Sequence, residues 1–247
     1  MKILVDGYWW DEGPHSNRMV LLEIVKQWMR DYPSDELVVA APSGRKQAAE
    51  PCPPIGIRVR KTHLRIHPAI NAIELPVQAR RESADAILAF NFAPLSKRAA
   101  VFMHDVLFQT NPEWFTPVER IYFSAMPPLA RMSRTVIATS ESERARITAN
   151  NPKLRRVVHC GLAVSSSLTD AEPYRPDIEV TADSFVLCIG RFNVRKNLEV
   201  TIRALWQSGL LSESFPLVVI GEPSGVSANI SEFAAAIASK SVVIARR

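Results

Sequence analysis

The chain has 247 residues, of which 47% are hydrophobic and 22% are charged, and its formal net charge is +5. This composition excludes an intrinsically disordered chain and supplies enough apolar side chains for one large domain or two ordinary ones. No apolar run approaches the roughly 20 residues that span a bilayer, and the apolar part of the amino end is too short for a signal peptide. We therefore expect a cytoplasmic protein.

The three cysteines, Cys52, Cys160 and Cys188, are widely spaced and odd in number. Such spacing indicates neither a disulfide framework nor a zinc site with paired ligands. The sequence also lacks an Asp-x-Asp pair or a cluster of His and carboxylate residues that would hold a divalent metal beside phosphates. We expect buried or inert thiols and no metal cofactor.

From its amino end the chain alternates short apolar runs with longer amphipathic segments, a pattern typical of βαβ units and parallel sheets. The predicted strands are Lys2–Asp6, Leu37–Ala41, Gly56–Arg60, Ala86–Phe90, Ala99–Met103, Thr135–Ala138, Arg156–His159, Phe185–Ile189, Leu217–Ile220 and Val242–Ala245. Most are apolar on both faces, as strands covered by helices on two sides must be. The sequence therefore predicts an α/β fold built from doubly wound, Rossmann-like parallel sheets.

Amphipathic segments between these strands predict the helices. In the first of them, Ser16 or Asn17 is expected to be the N-cap. Four apolar residues share one face of that helix: Leu21, Ile24, Val25 and Trp28. The other predicted helices are Thr116–Met132, Glu141–Asn150, Lys196–Gln207 and Ala228–Ser239.

A polar, proline-containing segment from Ser165 to Asp183 divides the chain. We place a first Rossmann-like domain at 1–168, a linker at 169–183 and a second domain at 184–247. The second domain has room for only three strands and two helices, which is half of a doubly wound sheet. We expect this domain to be incomplete and its sheet to have an open edge.

The segment 44–65 is strongly basic. It contains six cations, Arg45, Lys46, Arg58, Arg60, Lys61 and Arg65, against the single acid Glu50. One interpretation is a contact with an anionic membrane surface, and the other is an ordinary solvated loop and strand edge. Nucleic-acid binding would rest on net charge alone, because no basic platform with interleaved aromatic residues is found, and we do not expect it.

The most informative motif is GRFNVRKNL at Gly190–Leu198, which follows an apolar strand and precedes a helical pattern. Ligands of doubly wound folds bind outside the carboxyl ends of the strands, where a helix N-terminus favours anions. Arg191 and Lys196 are therefore expected to face a phosphate-like ligand, unless they only cap the sheet end and the helix start. Neither a G-x-x-x-x-G-K-[ST] loop nor a G-x-G-x-x-G motif after the first strand is present, which disfavours kinases, ATPases and ordinary dehydrogenases.

Five motifs in order carry a family resemblance. They are HD at His104–Asp105, TVIATSESER at Thr135–Arg144, VVHCGLAV at Val157–Val164, GRFNVRKNL, and LVVIGEPSG at Leu217–Gly225. Together they resemble the retaining glycosyltransferases with two Rossmann-like domains (the GT-B type), in the family 4-like group of mannosyltransferases and glycogen synthases. The resemblance implies transfer of a hexose such as mannose from a nucleotide-sugar donor to a glycan or lipid-linked acceptor, with retention of configuration.

The resemblance also implies roles for individual residues. Arg191 and Lys196 would clamp the donor diphosphate, so that catalysis needs no metal, and His104 would be the catalytic residue that contacts the donor sugar. Alternatively, His104 is only a hydrogen-bonded loop residue. Gly13, in the first strand-to-helix loop, would allow the backbone to approach the donor phosphates. The adjacent Trp9 and Trp10 would either stack on a sugar or pack within the loop.

The chain departs from the family pattern in one respect. Members of the family carry a glutamate-rich EGFG-type segment beyond the position that corresponds to Arg247, and its glutamates hold the donor's sugar and ribose. We expect a truncated chain, or one completed by a partner chain or by self-association, and catalysis by the chain alone is left open. The alternative function is a non-catalytic protein for nucleotide or polyanion binding or for assembly, peripheral on the inner face of the membrane through 44–65.

Overall fold

The computed structural model of the protein describes residues 1–46, 53–172, 178, 180, 181, 183–223, 225–227 and 229–245. The chain forms two compact units. Unit 1 comprises Met1–Thr110 and Ile121–Ala171, and unit 2 comprises Asn111–Arg120 and Glu172–Arg247. The linker predicted at 169–183 lies partly outside the described residues, and the domain boundaries therefore stay a prediction.

Unit 1 is built on a parallel sheet. Its strands are β1 (Lys2–Asp6), β2 (Glu36–Pro42), β3 (Arg58–Thr62), β4 (Ala86–Phe90), β5 (Ala99–Met103), β6 (Thr135–Ala138) and β7 (Val157–His159). Over the described residues these seven strands follow the order β3-β2-β1-β4-β5-β6-β7, and every neighbouring pair is parallel. The central strands are buried, with Leu4, Val38 and Phe90 all 0% exposed. The carboxyl ends of these strands consequently share one edge of the sheet.

Unit 2 is built on a smaller parallel sheet. Its strands are β8 (Val186–Ile189), β9 (Leu217–Ile220) and β10 (Val242–Ala245). Among the described residues the order is β10-β9-β8. Val219 of β9 packs with Phe192, Leu198, Ile202 and Phe233 in a separate core. Because β9 lies between the other two strands, β8 is an edge strand of the described sheet.

Helices connect the strands. They are α1 (His15–Asp31), α2 (His67–Ala69), α3 (Leu75–Arg81), α4 (Leu107–Thr110), α5 (Pro117–Ser124), α6 (Met126–Ala130), α7 (Glu141–Asn150), α8 (Ser166–Thr169), α9 (Leu198–Gln207) and α10 (Ala234–Ala238). A π-helical turn at Ile70–Glu74 joins α2 to α3, and 3₁₀ turns occur at Pro112–Trp114, Val194–Lys196 and Ser231–Phe233.

The predicted α/β class with two Rossmann-like sheets is confirmed. All ten predicted strands are found, and six have the predicted bounds: β1, β4, β5, β6, β9 and β10. The other four begin or end one or two residues away from the predicted positions. Continuous apolar runs locate buried parallel strands well, because both faces of each strand must be covered.

The helical segment from His67 to Arg81 was not predicted. Pro68 and Pro76 lie within it, and proline lacks the amide that a helix interior requires. The missing amide of Pro76 frees the carbonyl of Ala72, four residues earlier, and this carbonyl accepts a hydrogen bond from the Leu95 amide (3.2 Å). A contact with a distant loop therefore compensates for a residue that normally breaks helices.

Three further helix predictions were wrong in detail. The helix predicted over 228–239 is reduced to the 3₁₀ turn at Ser231–Phe233 and the five-residue α10 at Ala234–Ala238. The helix predicted over 116–132 is divided into α5 and α6, and Pro127 lies in the first turn of α6, where its missing amide costs little. The N-cap of α1 is Pro14 rather than Ser16 or Asn17, and no side chain among the described residues caps this helix. The helix start is fixed here by the proline's φ of −57° and not by a polar side chain.

Candidate functional site

The loop that follows β8 presents the two predicted donor-binding cations. Gly190 has φ +153°, in the region that favours glycine, and Arg191 and Lys196 are both exposed. A β-carbon at position 190 would lie 3.7 Å from Lys196 Cδ, so the lysine stem returns to the end of the strand. Within the described part of the chain, neither cation takes part in an ion pair. Both charges are therefore available to an anionic ligand at the carboxyl end of β8.

Backbone hydrogen bonds fix this loop against the loop that follows β9. The Phe192 amide donates to the Glu222 carbonyl oxygen (2.9 Å), and the Val194 amide donates to the Val226 carbonyl oxygen (2.9 Å). Phe192 is 3% exposed and belongs to the core of unit 2, which anchors the residue next to Arg191. The backbone that carries the two cations is thus held in place by contacts that do not involve the cationic side chains.

The third cation of the motif, Arg195, has internal partners. Its backbone amide and its Nε both donate to Oδ1 of the buried Asn193, at 2.9 and 3.0 Å. Its guanidinium lies 4.8 Å from the ring centroid of Phe115, which belongs to the same unit. This cation–π contact assigns Arg195 to packing.

The helix that follows adds a favourable dipole. Asn197, with φ 52° and ψ 37°, immediately precedes the ten-residue helix α9, and Lys196 directly precedes Asn197. The positive end of a helix dipole stabilises a nearby negative charge. The carboxyl end of β8 therefore combines a helix N-terminus with two cations that have no ion-pair partner among the described residues.

His104 lies at the carboxyl edge of the sheet in unit 1, directly after β5. Its ring makes edge contacts with Phe102 and Trp9, at centroid distances of 5.1 and 6.2 Å. Its Nε2 is buried and has no hydrogen-bond partner among the described residues. Burial lowers the pKa of His104 to about 4, with a smaller opposing effect of Asp105, so the imidazole is neutral at neutral pH. A neutral ring with an unpaired nitrogen can exchange a hydrogen bond with an uncharged ligand.

Gly13 is explained by packing inside unit 1. It has φ +133°, and a β-carbon there would lie 2.4 Å from Cδ1 of Trp9. Trp9 and Trp10 are only 5% and 4% exposed and belong to the core, so packing accounts for both tryptophans. The predicted approach of Gly13 to donor phosphates stays a prediction.

A buried polar network at the same edge was missed by sequence reasoning. The carboxylate of Asp6, the last residue of β1, accepts hydrogen bonds from the Tyr8 amide (2.9 Å), Asn71 Nδ2 (2.7 Å) and the Phe90 amide (3.1 Å). His67 Nε2 lies 2.9 Å from the same carboxylate. Burial alone would raise the pKa of Asp6, but His67 and the hydrogen bonds hold it below its ordinary value. The available signal was the acidic residue at a buried strand end, whereas its side-chain partners His67 and Asn71 lay in a helical segment that was not predicted.

The basic segment 44–65 carries less free charge than its composition indicates. Four of its six cations form ion pairs with acids outside the segment: Arg45 with Glu12, Arg58 with Glu36 and Glu82, Arg60 with Glu82, and Lys61 with Asp11. Parallel pairing of β2 with β3 sets Glu36 close to Arg58. Residues 47–52 of this segment lie outside the described part of the chain. These pairs weaken the argument for docking on an anionic membrane.

The described residues contain no group of three His, Cys, Asp or Glu side chains arranged to hold a metal ion. None of the helices described is both long enough and apolar enough to cross a bilayer.

No protein-family model and no curated protein sequence matches the chain. Solved structures resemble it in fold. A sucrose-phosphate synthase from Thermosynechococcus elongatus is 12% identical with a TM-score of 0.62, over 100% of this chain and 70% of that one. A UDP-glucose:anthocyanidin 3-O-glucosyltransferase in complex with UDP is 13% identical with a TM-score of 0.52, over 98% and 71%. The chain thus has the fold of GT-B glycosyltransferases.

Proposed function

We propose that the chain is a glycosyltransferase that binds a nucleotide-sugar donor through the loop after β8. The observation that carries the proposal is the pair of exposed cations Arg191 and Lys196 beside the start of α9, neither of which forms an ion pair with any residue that the structure describes. The two solved structures described above support the proposal. One is a sucrose-phosphate synthase, and the other is a glucosyltransferase in complex with UDP.

The chemistry of such a transfer explains the need for these cations. When the glycosidic bond to the donor breaks, negative charge develops on the departing diphosphate. Cations that are already positioned lower the barrier without reorganising, which makes preorganised electrostatics a large contribution to catalysis. The guanidinium of Arg191 would form paired hydrogen bonds with phosphate oxygens, and the ammonium of Lys196 would act as a compact charge. The chain's own side chains would thus serve where other enzymes use a metal.

His104 fits the role of a ligand-contacting residue at the edge of unit 1. Its buried Nε2, which has no hydrogen-bond partner among the described residues, is suited to a sugar hydroxyl, because one nitrogen of a neutral imidazole donates a hydrogen bond and the other accepts one. We propose that it orients the donor sugar. On the family resemblance, we further propose a hexose such as mannose, retention of configuration, and a glycan or lipid-linked acceptor.

Calorimetric titration with UDP, GDP and their hexose conjugates tests donor binding. We expect wild-type protein to bind one nucleotide, and the double variant Arg191→Ala, Lys196→Ala to bind it at least tenfold more weakly, because two charge-assisted contacts are lost. The control is Arg203→Ala, Lys240→Ala, which removes two exposed cations of the same unit that are already ion-paired with Glu232 and Glu213.

A second assay separates sugar transfer from binding alone. It measures by chromatography how much free nucleotide is released from the nucleotide sugar. Nucleotide binding without any release in the presence of acceptor would favour the non-catalytic alternative. If the folded wild-type chain bound none of these nucleotides, the proposed function would be wrong.

A further inference from the structure

A second charged site lies on unit 1, outside the features used above. A surface cavity of about 280 Å³ is lined by Lys97, Arg131, Met132, Ser133, Arg134 and Arg155. Four of these six residues are cations, and none carries a carboxylate. All the charged residues that line the cavity are therefore positive.

The topology puts this cavity at the amino edge of the sheet. Lys97 precedes β5 by two residues, Arg134 immediately precedes β6, and Arg155 precedes β7 by two residues. Since β5, β6 and β7 are adjacent and parallel, their amino ends lie at one edge. His104 follows the opposite end of β5, and a five-residue strand is roughly 17 Å long. The cavity is thus separate from the carboxyl edge of the same sheet.

The cations around the cavity are not neutralised by any acid in the described part of the chain. Lys97, Arg131, Arg134 and Arg155 are all exposed, and in the described ranges none of them forms an ion pair. By contrast, Arg58 and Arg60 at the far side of the sheet share the carboxylate of Glu82. Like charges that are held close together repel one another. Binding of an anion would therefore lower the electrostatic free energy of this cluster.

Ser133 supplies an independent indication of a ligand. It lines the cavity and is only 6% exposed, and its hydroxyl is buried with no hydrogen-bond partner among the residues described. Burying a hydroxyl without a hydrogen-bond partner costs free energy. In native proteins such a group is commonly explained by a bound water, ion or ligand. A hydroxyl donor among four cations suits an oxyanion.

We propose that this cavity binds a phosphate group. Arg131, Arg134 and Arg155 would donate to its oxygens in the paired geometry that suits guanidinium, while Lys97 would act as a point charge and Ser133 would donate its hydroxyl hydrogen. The site does not depend on the proposed donor binding, because it uses none of the residues of unit 2.

The test is titration of inorganic phosphate at low ionic strength in a phosphate-free buffer. It is performed in the Arg191→Ala, Lys196→Ala background, so that a donor site cannot contribute. We expect saturable binding that weakens about tenfold or more in the further variant Arg134→Ala, Arg155→Ala, because charged hydrogen bonds are lost. The charge-matched control is Arg80→Ala, Arg81→Ala, two exposed cations of α3 that do not line the cavity and should leave the affinity unchanged.

Ser133→Ala is a second test variant, chosen because it should change phosphate binding without destabilising the fold. Removing an unpartnered hydroxyl should leave the melting temperature unchanged or higher, while the affinity for phosphate falls several-fold. If Ser133 were merely a structural residue, the affinity would not change.

A parallel experiment measures binding to vesicles of phosphatidylcholine with phosphatidic acid, which carries its phosphate in a lipid headgroup. Binding of inorganic phosphate alone would identify a free phosphate ligand, and binding of both, with both weakened by Arg134→Ala, Arg155→Ala, would identify a lipid headgroup. Failure to bind phosphate, or binding that the cavity variants do not weaken, would overturn the proposal whatever the outcome of the nucleotide titration.

Discussion

Gly221 lies directly against the backbone of Gly190: a β-carbon at position 221 would be 1.9 Å from the Gly190 carbonyl oxygen. The loops that follow β8 and β9 can approach this closely only because residue 221 has no side chain. Arg191 directly follows Gly190, so this contact helps to set the shape of the candidate phosphate-binding loop.

We expect Gly221→Ala to destabilise unit 2 by about 1–3 kcal/mol and to weaken nucleotide binding, because the backbone must shift to admit a methyl group. Thermal unfolding and calorimetry would measure the two effects. Gly161→Ala is the matched control, since a β-carbon there meets no atom within 4 Å. A Gly221→Ala protein as stable as wild type would show that the close contact is not required.

Arg191 and Arg195 should respond differently to alanine substitution. Arg191 is exposed and unpaired among the described residues, so Arg191→Ala should change stability by less than about 0.5 kcal/mol while weakening nucleotide binding. Arg195→Ala loses the contacts with Asn193 and Phe115 and should cost about 1 kcal/mol. Chemical denaturation of both variants measures the difference. Equal losses of stability would contradict the assignment of Arg195 to packing.

The buried imidazole of His104 predicts a pH dependence of stability. Its pKa of about 4 lies below the unfolded value near 6.5, so between these pH values the unfolded chain binds more protons than the folded one. Stability should therefore fall as pH decreases from about 6.5 to 4, by up to about 3 kcal/mol. In His104→Gln this component should vanish.

Unfolding of wild type and of His104→Gln by denaturant at pH 7 and at pH 4 gives the comparison. Groups other than His104 titrate in both proteins and cancel in the difference. Parallel pH profiles for the two proteins would show that His104 is not held neutral by burial.

Substitution of Asp6 should damage the fold of unit 1. Asp6→Ala leaves the Asn71 amide, the Phe90 amide and the His67 ring without their shared acceptor in a buried position, and should cost about 2–4 kcal/mol. Asp85→Ala is the control, because that exposed carboxylate accepts one backbone hydrogen bond from Lys2. Denaturant melts would reveal the difference, and equal effects of the two changes would argue against the buried network.

The exposed edge of unit 2 predicts self-association. Leu187 and Ile189 of β8 are 47% and 70% exposed, and an edge strand with apolar side chains readily pairs with another chain. Ile189→Lys should lower the weight-average mass measured by light scattering at high protein concentration. Ile55→Lys, at an isolated position that is 97% exposed, should not. An unchanged mass in both variants would exclude association through β8.

Local sequence was sufficient for the strands and for the position of the candidate cations. A continuous apolar run such as Ala99–Met103 is compatible with few structures other than a buried strand, and the residue after it must lie at the sheet's carboxyl edge. That reasoning located His104 and Arg191 within two residues of a strand end, and Lys196 in the loop between β8 and α9. It did not find the helix through Pro76, because the amide that compensates by donating to the Ala72 carbonyl belongs to Leu95, which lies outside any local window.

The sequence by itself determined the α/β class, the order of the strands along the chain and the residues that follow each of them, since these depend on hydrophobic periodicity and turn chemistry. Only the tertiary structure decided which charges remain free. Arg58 and Arg60 form ion pairs with Glu82, at the end of α3 and outside the basic segment, whereas Lys97, Arg134 and Arg155 lie at one sheet edge and form no ion pair with any acid among the described residues. Charge pairing depends on distances between residues far apart in the chain, and the packing of strands sets those distances.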